Sequence, residues 1–367
     1  MGFELSTDHT KYIQLCFDLA KKGAGKVSPN PLVGSILVKN GKVIGEGWHK
    51  KIGEAHAEVN AIRNTKEDTA GSTLYCNLEP CCHSNKKTLP CVPLIIQNKI
   101  KKVIISNLDL NPEVNGKGIK QLREAGIEVI TGVLENEGIE LNKFYFKFIK
   151  EKLPYITLKI AQSVDGKISL SNKEQTWLTG KISVKYVHKL RSKYDAVLVG
   201  AGTIRTDNPL LTVRKVKGRN PKRIIIDGEL SIPADSNVIK NAKSIETWIF
   251  TSTASAKKKI DSLFEKGVKI FQLKSDKNKR FNIKDVLQEL AAQKITSVLV
   301  EGGSEIFSQF IGKELFDEII VLQSPKILGK GIGYYNFKKM KKLQLLSVEK
   351  LGNDIKLVYR RNSPLSL

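Results

Sequence analysis

His56, Glu58, Cys81, Cys82 and Cys91 form the set most suited to a reactive centre. One histidine and two cysteines offer three soft ligands to zinc and leave a fourth position for water, which the metal acidifies towards neutrality. A glutamate two residues after the histidine is placed to move that water's protons without itself binding the metal. Cys81 and Cys82 compete for one ligand position. A cysteine directly after proline favours Cys81, following Pro80, just as Cys91 follows Pro90. A closed zinc site using all three cysteines and His56 would leave Glu58 without a role.

The elements around these residues are legible from pattern. Residues 8–22 carry a helical apolar rhythm. Leu32–Val38 and Val43–Trp48 read as strands joined at Asn40-Gly41, a two-residue hairpin signal, and His49 ends the second. His56 to Arg63 reads as a helix that presents His56 and Glu58 in its first turn. Leu74–Asn77 reads as a strand leading to Glu79-Pro80-Cys81-Cys82 at the start of the next helix. Both ligand groups would then lie at helix N-termini, where the dipole favours thiolate. Further helices over 92–98 and 118–125 and strands over 101–106 and 127–131 complete a β-β-α-β-α-β-α-β order, an α/β sandwich with a mixed sheet. Pro154 restarts the chain after the aromatic stretch Phe144–Phe148, so the expected domains are 1–150 and 151–367.

The second half alternates again. Strands are expected over 155–161, 196–199, 222–226, 247–250, 268–271, 298–300 and 319–321, with helices such as 182–191 and 283–292. Gly200-Ala201-Gly202-Thr203 follows a strand, but Arg205 occupies the place of a third glycine, and no acid sits about 20 residues on, so a Rossmann fingerprint is weak. Glu301-Gly302-Gly303-Ser304 follows another strand and opens a helix, where backbone N–H groups suit phosphate.

Composition bounds the class. With 367 residues, 41% hydrophobic and 27% charged, the chain suits two globular domains. Its longest apolar runs fall short of the roughly 18–20 residues that span a bilayer. The start Met1–Asp8 has no secretory pattern. Four of the five cysteines lie between 76 and 91, a cluster that points to metal in a reducing cytoplasm rather than to a disulfide framework. The net charge of +24 is uneven: 21 basic against 16 acidic residues up to position 150, and 40 against 21 beyond it. The excess is scattered lysine without a dense tract or interleaved aromatics, so it suits phosphorylated small molecules better than nucleic acid.

His-x-Glu before Pro-Cys and a further cysteine is the pattern of zinc-dependent nucleobase deaminases. More closely, the chain resembles the bifunctional riboflavin-biosynthesis deaminase/reductase family. In the first half the resemblance is carried by Ser28-Pro29-Asn30-Pro31-Leu32-Val33-Gly34, Gly47-Trp48-His49, His56-Ala57-Glu58, Glu79-Pro80-Cys81 and Asp109 through Asn111-Pro112 to Gly116-Lys117-Gly118. In the second it is carried by Tyr155 through Asp165-Gly166-Lys167, Trp177-Leu178-Thr179, Asp195–Gly200, Thr206 through Pro209 to Arg214, and Glu301-Gly302-Gly303. It spans roughly residues 8–363.

The resemblance implies a cytidine-deaminase-like α/β/α sandwich followed by a dihydrofolate-reductase-like α/β domain. It implies hydrolytic deamination of 2,5-diamino-6-(5-phosphoribosylamino)pyrimidin-4(3H)-one, then reduction of the ribosyl group with NADPH, in a homo-oligomer without nucleic acid or membrane. The family's site places one Zn2+ on His56, Cys81 and Cys91, with Glu58 as proton shuttle and Asn30, His49, His83 and Lys87 on the substrate. In the second half it places Ala161, Trp177, Thr203, Asp207 and the run Gly303, Ser304, Glu305, Ile306, Phe307, Ser308 and Gln309 on NADPH. Gln175, Arg191, Leu211, Arg214 and Glu301 would meet substrate, the two arginines being suited to phosphate through guanidinium forks. Two departures stand out. The stretch Cys82 to Pro90 is one residue longer than the family's and lacks its glycine, which leaves Lys86 and Lys87 both open as the phosphate contact. Gln175 stands where serine is usual. The competing reading is a nucleotide or nucleic-acid base deaminase with an accessory domain, for which the motifs of the second half have no use.

Overall fold

Apolar residues alternate across the first strands, and a different set of helices meets each face. In the computed structural model, residues 7–84, 89–171, 174–276, 281–335 and 340–361 are described. The first unit, Met1–Glu151, runs α1 (Thr7–Lys21), β1 (Gly34–Lys39), β2 (Lys42–Trp48), α2 (Ala57–Asn64), β3 (Thr73–Leu78), α3 (Cys91–Gln97), β4 (Lys102–Asn107), α4 (Lys117–Glu124), β5 (Glu128–Thr131), α5 (Glu135–Leu141) and α6 (Lys143–Glu151). The sheet order is β2-β1-β3-β4-β5, with β1 antiparallel to β2 and β3, and β3, β4 and β5 parallel.

Successive strand residues point to opposite faces. Ile36, Tyr75 and Ile104 therefore join Ile13, Cys16 and Phe17 of α1 in one core. Leu37, Leu74, Val103 and Ile105 join Val59, Ile95 and Leu122 of α2, α3 and α4 in the other. The product is an α/β/α sandwich. Helix α2 lies hard against β2, because Gly47 has no side chain: a Cβ there would meet Ala57 O and Ala61 N at 2.3 Å each.

The second unit, Lys152–Leu367, runs β6 (Tyr155–Gln162), β7 (Lys167–Ser169), α7 (Lys181–Lys193), β8 (Ala196–Gly200), α8 (Ala201–Asp207), β9 (Lys222–Ile226), α9 (Asn237–Lys240), β10 (Thr247–Ser252), α10 (Lys257–Glu265), β11 (Val268–Leu273), α11 (Ile283–Ala292), β12 (Ser297–Gly302), α12 (Ser304–Gly312), β13 (Glu318–Gln323), β14 (Ile332–Gly333), β15 (Leu343–Leu351) and β16 (Asp354–Arg361). Nine strands form one sheet in the order β11-β10-β9-β8-β12-β6-β13-β16-β15. The seven from β11 to β13 are parallel, and β16 and β15 are antiparallel additions. Helices α11 and α12 cover one face through Val286, Leu290 and Phe310. Ile204 of α8, Val238 and Leu263 cover the other.

The β15–β16 hairpin is absent from the sequence expectation. Strand β15 is exposed over most of its length, so it lacks the in–out alternation that betrays a half-buried strand. Among the described residues no helix is long and apolar enough to cross a membrane.

Candidate active sites

In the first unit, α2 begins at Ala57, with His56 at its N-cap in an extended conformation. This turns the imidazole towards the end of β3. His56 Nδ1, Cys81 Sγ and Cys91 Sγ form a triangle with all three sides 3.4 Å. They are the metal-capable cluster found among the described residues. A tetrahedral zinc with bonds near 2.3 Å to sulfur and 2.1 Å to nitrogen requires ligand separations of roughly 3.5–3.8 Å, so the triangle fits the ion with little adjustment. Glu58, in the first turn of α2, is 3% exposed and is not one of the three. Cys82 points away, its Sγ 3.8 Å from Glu113 O.

The expected helix start at Glu79–Cys82 is not what forms. Residues 79–84 are non-helical, and α3 begins only at Cys91, capped by Pro90. Of the two cysteine ligands only Cys91 thus sits at a helix N-terminus, as His56 does at the start of α2. Cys81 instead offers its carbonyl to that end, accepting from Cys91 N at 2.9 Å and Val92 N at 3.2 Å. What holds Cys81 in place is Glu79, a residue given no role at the sequence level. Its buried carboxylate accepts four backbone N–H groups: Gly116 and Asp109 on Oε2, and Gly118 and Ile119 on Oε1, at 3.0–3.3 Å. The sequence signal was an acid followed at long range by a glycine-rich turn, which no local rule connects.

His49 and Asn30 meet beside the metal cluster. His49 Nδ1 lies 3.2 Å from Ala55 O, so it carries the proton, which leaves Nε2 to accept from Asn30 Nδ2 at 3.1 Å. Burial lowers the His49 pKa below the usual imidazole value, consistent with this neutral tautomer. The His49 and His56 rings meet edge to face, with centroids 5.4 Å apart. His83 is half-buried, with its Nδ1 enclosed. Lys87, like Lys86, lies outside the described residues.

In the second unit, a cavity of about 1310 Å³ follows the carboxyl ends of β6, β12, β8 and β9, the edge where parallel α/β sheets bind ligands. Gln175, Arg191, Leu211, Arg214 and Glu301 line it, as do Ala161, Trp177, Thr203 and Asp207. From the run after β12, Gly303 through Phe307 and Gln309 line it, but Ser308 does not. Seven consecutive residues opening a helix cannot all face one side. The Gly302–Gly303 turn makes a close cradle: a Cβ on Gly302 would meet Thr203 Oγ1 at 2.9 Å. Such a turn at the start of α12 fits a dinucleotide's phosphates.

Glu301 is at the centre of the polar groups. It sits at a bulge, where the register of β12 on β8 shifts between Val300 and Gly302. Arg191 grips it with Nε to Oε1 at 2.5 Å and Nη2 to Oε2 at 2.8 Å, and Lys159 Nζ lies 3.4 Å from Oε2. Burial opposes ionisation of Glu301, yet Arg191 and Lys159 outweigh it and hold the carboxyl down to about 2. The Arg191 fork expected for phosphate is therefore engaged within the protein, and its Nη1 donates to Thr212 O at 3.1 Å. Arg214 keeps the more open guanidinium. Its backbone N–H donates to His188 Nδ1 at 3.0 Å, and burial and then the arginine charges keep that histidine below the usual imidazole range. Lys159 and His188 carried no assignment from sequence, although the His188-x-x-Arg191 spacing puts both on one helix face.

Residues 154–357 match the RibD C-terminal domain family, and residues 6–107 match the cytidine and deoxycytidylate deaminase zinc-binding region. The riboflavin biosynthesis protein RibD of Aquifex aeolicus is 41% identical over 95% of this chain and 98% of its own length. That of Actinobacillus pleuropneumoniae is 39% identical over 99% and 98%. A crystal structure from Thermotoga maritima, described as a diaminohydroxyphosphoribosylaminopyrimidine deaminase/5-amino-6-(5-phosphoribosylamino)uracil reductase, superposes with a TM-score of 0.86 at 37% identity, covering 96% of this chain and 99% of that one.

Proposed function

Since the chain belongs to the RibD family of bifunctional deaminase/reductases of riboflavin biosynthesis, we propose that His56, Cys81, Cys91 and Glu58 carry the deamination and that the cavity around Glu301 carries the reduction. Its two parts are a cytidine-deaminase-like sandwich and a dihydrofolate-reductase-like α/β domain. The substrate of the first step is 2,5-diamino-6-(5-phosphoribosylamino)pyrimidin-4(3H)-one, and the product of the second carries a ribityl chain.

The observation that carries this reading is the 3.4 Å triangle with a buried glutamate in the first turn of the helix that His56 caps. Zinc held by His56, Cys81 and Cys91 would supply an acidified water in its open position. Glu58 is placed to relay the two protons of the attacking water in turn, the first to the ring nitrogen and the second to the amine that leaves as ammonia. Asn30 and the neutral His49 orient the base. His83 is the remaining described residue of the substrate set, and the lysine contact to the ribosyl phosphate is assigned from sequence position alone.

For the second step the Gly302–Gly303 turn, Thr203 and Asp207 would hold NADPH, which would supply the reducing equivalents. Glu301 is anionic at neutral pH, so it accepts hydrogen bonds from substrate hydroxyls rather than giving up a proton. Lys159 places its ammonium beside it, and Arg214 offers its guanidinium to the substrate phosphate. The same reading makes the protein a cytoplasmic homo-oligomer and assigns its basic charge to phosphorylated small molecules.

The test is to incubate purified protein with the diaminopyrimidine phosphate and follow its mass. Exchange of an amino group for oxygen is expected without NADPH, and a further gain of two hydrogens with it. An unchanged mass in both cases refutes the assignment.

A further inference from the structure

Residues 208–214, which follow α8, carry Leu211 and Arg214 to the cavity but form neither helix nor strand. Asn208 and Leu211 both have left-handed backbones, with φ 41° and 53°. Residues with side chains keep that conformation only where their surroundings hold it. The near end of the segment is held by Asn237, which donates its backbone N–H to Asn208 Oδ1 and its Nδ2 to Asn208 O, both at 2.7 Å. The far end is held by α7. Arg191 Nη1 donates to Thr212 O at 3.1 Å, and His188 Nδ1 accepts from Arg214 N at 3.0 Å. Three residues apart on one helix face, these two side chains give the backbone of residues 212–214 a donor at one end and an acceptor at the other.

Arg191 has a second duty on Glu301, whereas neither reaction step above uses His188. It is 4% exposed and lies in the cavity wall. An imidazole that accepts at Nδ1 is neutral and carries its proton on Nε2. An apolar side chain in its place would leave the Arg214 N–H without that acceptor, which a buried donor tolerates poorly. The Arg214 side chain is exposed, and its Nη1 donates to Thr212 Oγ1 at 2.5 Å. The direction of the guanidinium is therefore tied to the backbone of the same three residues that α7 holds.

We propose that His188 is a positioning residue for the reduction: by fixing the Arg214 backbone it aims that guanidinium at the substrate phosphate. The proposal rests on the assignment of Arg214 to the phosphate above. Steady-state reduction of 5-amino-6-(5-phosphoribosylamino)uracil by the full-length protein at saturating NADPH tests it. His188→Leu should raise KM about tenfold, the size of one charge-assisted contact. Its kcat should fall less than about twofold, because a contact made equally before and during reaction is the one weakened. His188→Asn, whose Oδ1 can replace Nδ1 as acceptor, should recover most of the loss. In an Arg214→Ala background His188→Leu should raise KM little further, since no guanidinium is left to aim. A merely structural role would act alike in both backgrounds. The same cycle with His188→Gln, which carries its amide one bond further out, keeps the test open if His188→Leu does not fold. An unaltered KM in the His188 variants, or effects that simply add in the double variants, overturns the His188 proposal and leaves the Arg214 assignment standing. An unaltered KM in Arg214→Ala removes that assignment and the proposal with it.

Discussion

Arg191 and Glu301, 110 residues apart in the chain, are joined by two parallel hydrogen bonds of 2.5 and 2.8 Å at the carboxyl end of β12. Both side chains are largely enclosed, 12% and 5% exposed. Removing one partner of such a pair strands a buried charge and typically costs about 3–5 kcal/mol.

The pair makes the second unit acid-sensitive. The Glu301 carboxyl is lowered from 4.5 to about 2, with burial opposing and Arg191 leading the lowering. A carboxyl depressed on folding adds stability that is present above its unfolded value and lost as pH falls through its folded one. The window is therefore from 4.5 down to about 2, with a size on the order of 3 kcal/mol. Denaturant unfolding of the second unit should show that decline, and Glu301→Gln should flatten it. Arg191→Met should raise the Glu301 pKa and give reductase activity an acid limb that the intact enzyme lacks. An unchanged pH profile in Arg191→Met contradicts the role given to the pair.

Glu58→Gln should lower deaminase turnover by roughly 10²–10⁴-fold, the range for loss of a positioned acid–base group. Zinc content, measured by atomic absorption, and reduction of supplied deaminated intermediate should stay as they are. Loss of the metal in this variant would make Glu58 a ligand instead.

Cys81→Ser and Cys82→Ser should separate cleanly. The first removes a corner of the triangle and should strip zinc and deamination together. The second alters a thiol that faces Glu113 O and should retain both. A chelator should silence deamination in the intact enzyme and leave reduction untouched. Metal analysis with the reverse ranking of the two serines would move the site by one residue.

Gly47→Ala tests how α2 is seated. Its Cβ would come within 2.3 Å of Ala57 O and Ala61 N, backbone atoms that cannot rotate aside. Overpacking of this kind costs about 1–3 kcal/mol and should shift His56 with the helix. Lower stability of the first unit and weaker zinc retention are expected, with the second unit unaffected. Full zinc retention at unchanged stability would show that the helix is free to move.

Some of this molecule is written locally. The Asn40-Gly41 hairpin, the helix rhythm of residues 8–22 and the alternation of strands and helices follow from turn chemistry and apolar period, which act over a few residues. The residue types of a zinc deaminase, His-x-Glu and the later cysteines, are local in the same sense.

Other features depended on distant parts of the chain meeting. Of the two adjacent cysteines the position after Pro80 favours Cys81, and the fold supplies the physical reason. The non-helical path of residues 79–84, fixed by four backbone N–H groups on Glu79, turns Cys81 to His56 and Cys82 away. Arg191 reads as a phosphate fork until folding brings Glu301 to it. The bulge that seats Glu301 arises from the pairing of β12 with β8, and the exposed β15 carries no apolar signature. Residue type and spacing set which chemistry was available. Long-range hydrogen bonds and buried charge, whose partners in the second site lie 110 residues apart for Arg191–Glu301 and further for Lys159–Glu301, decided which side chain performs which part.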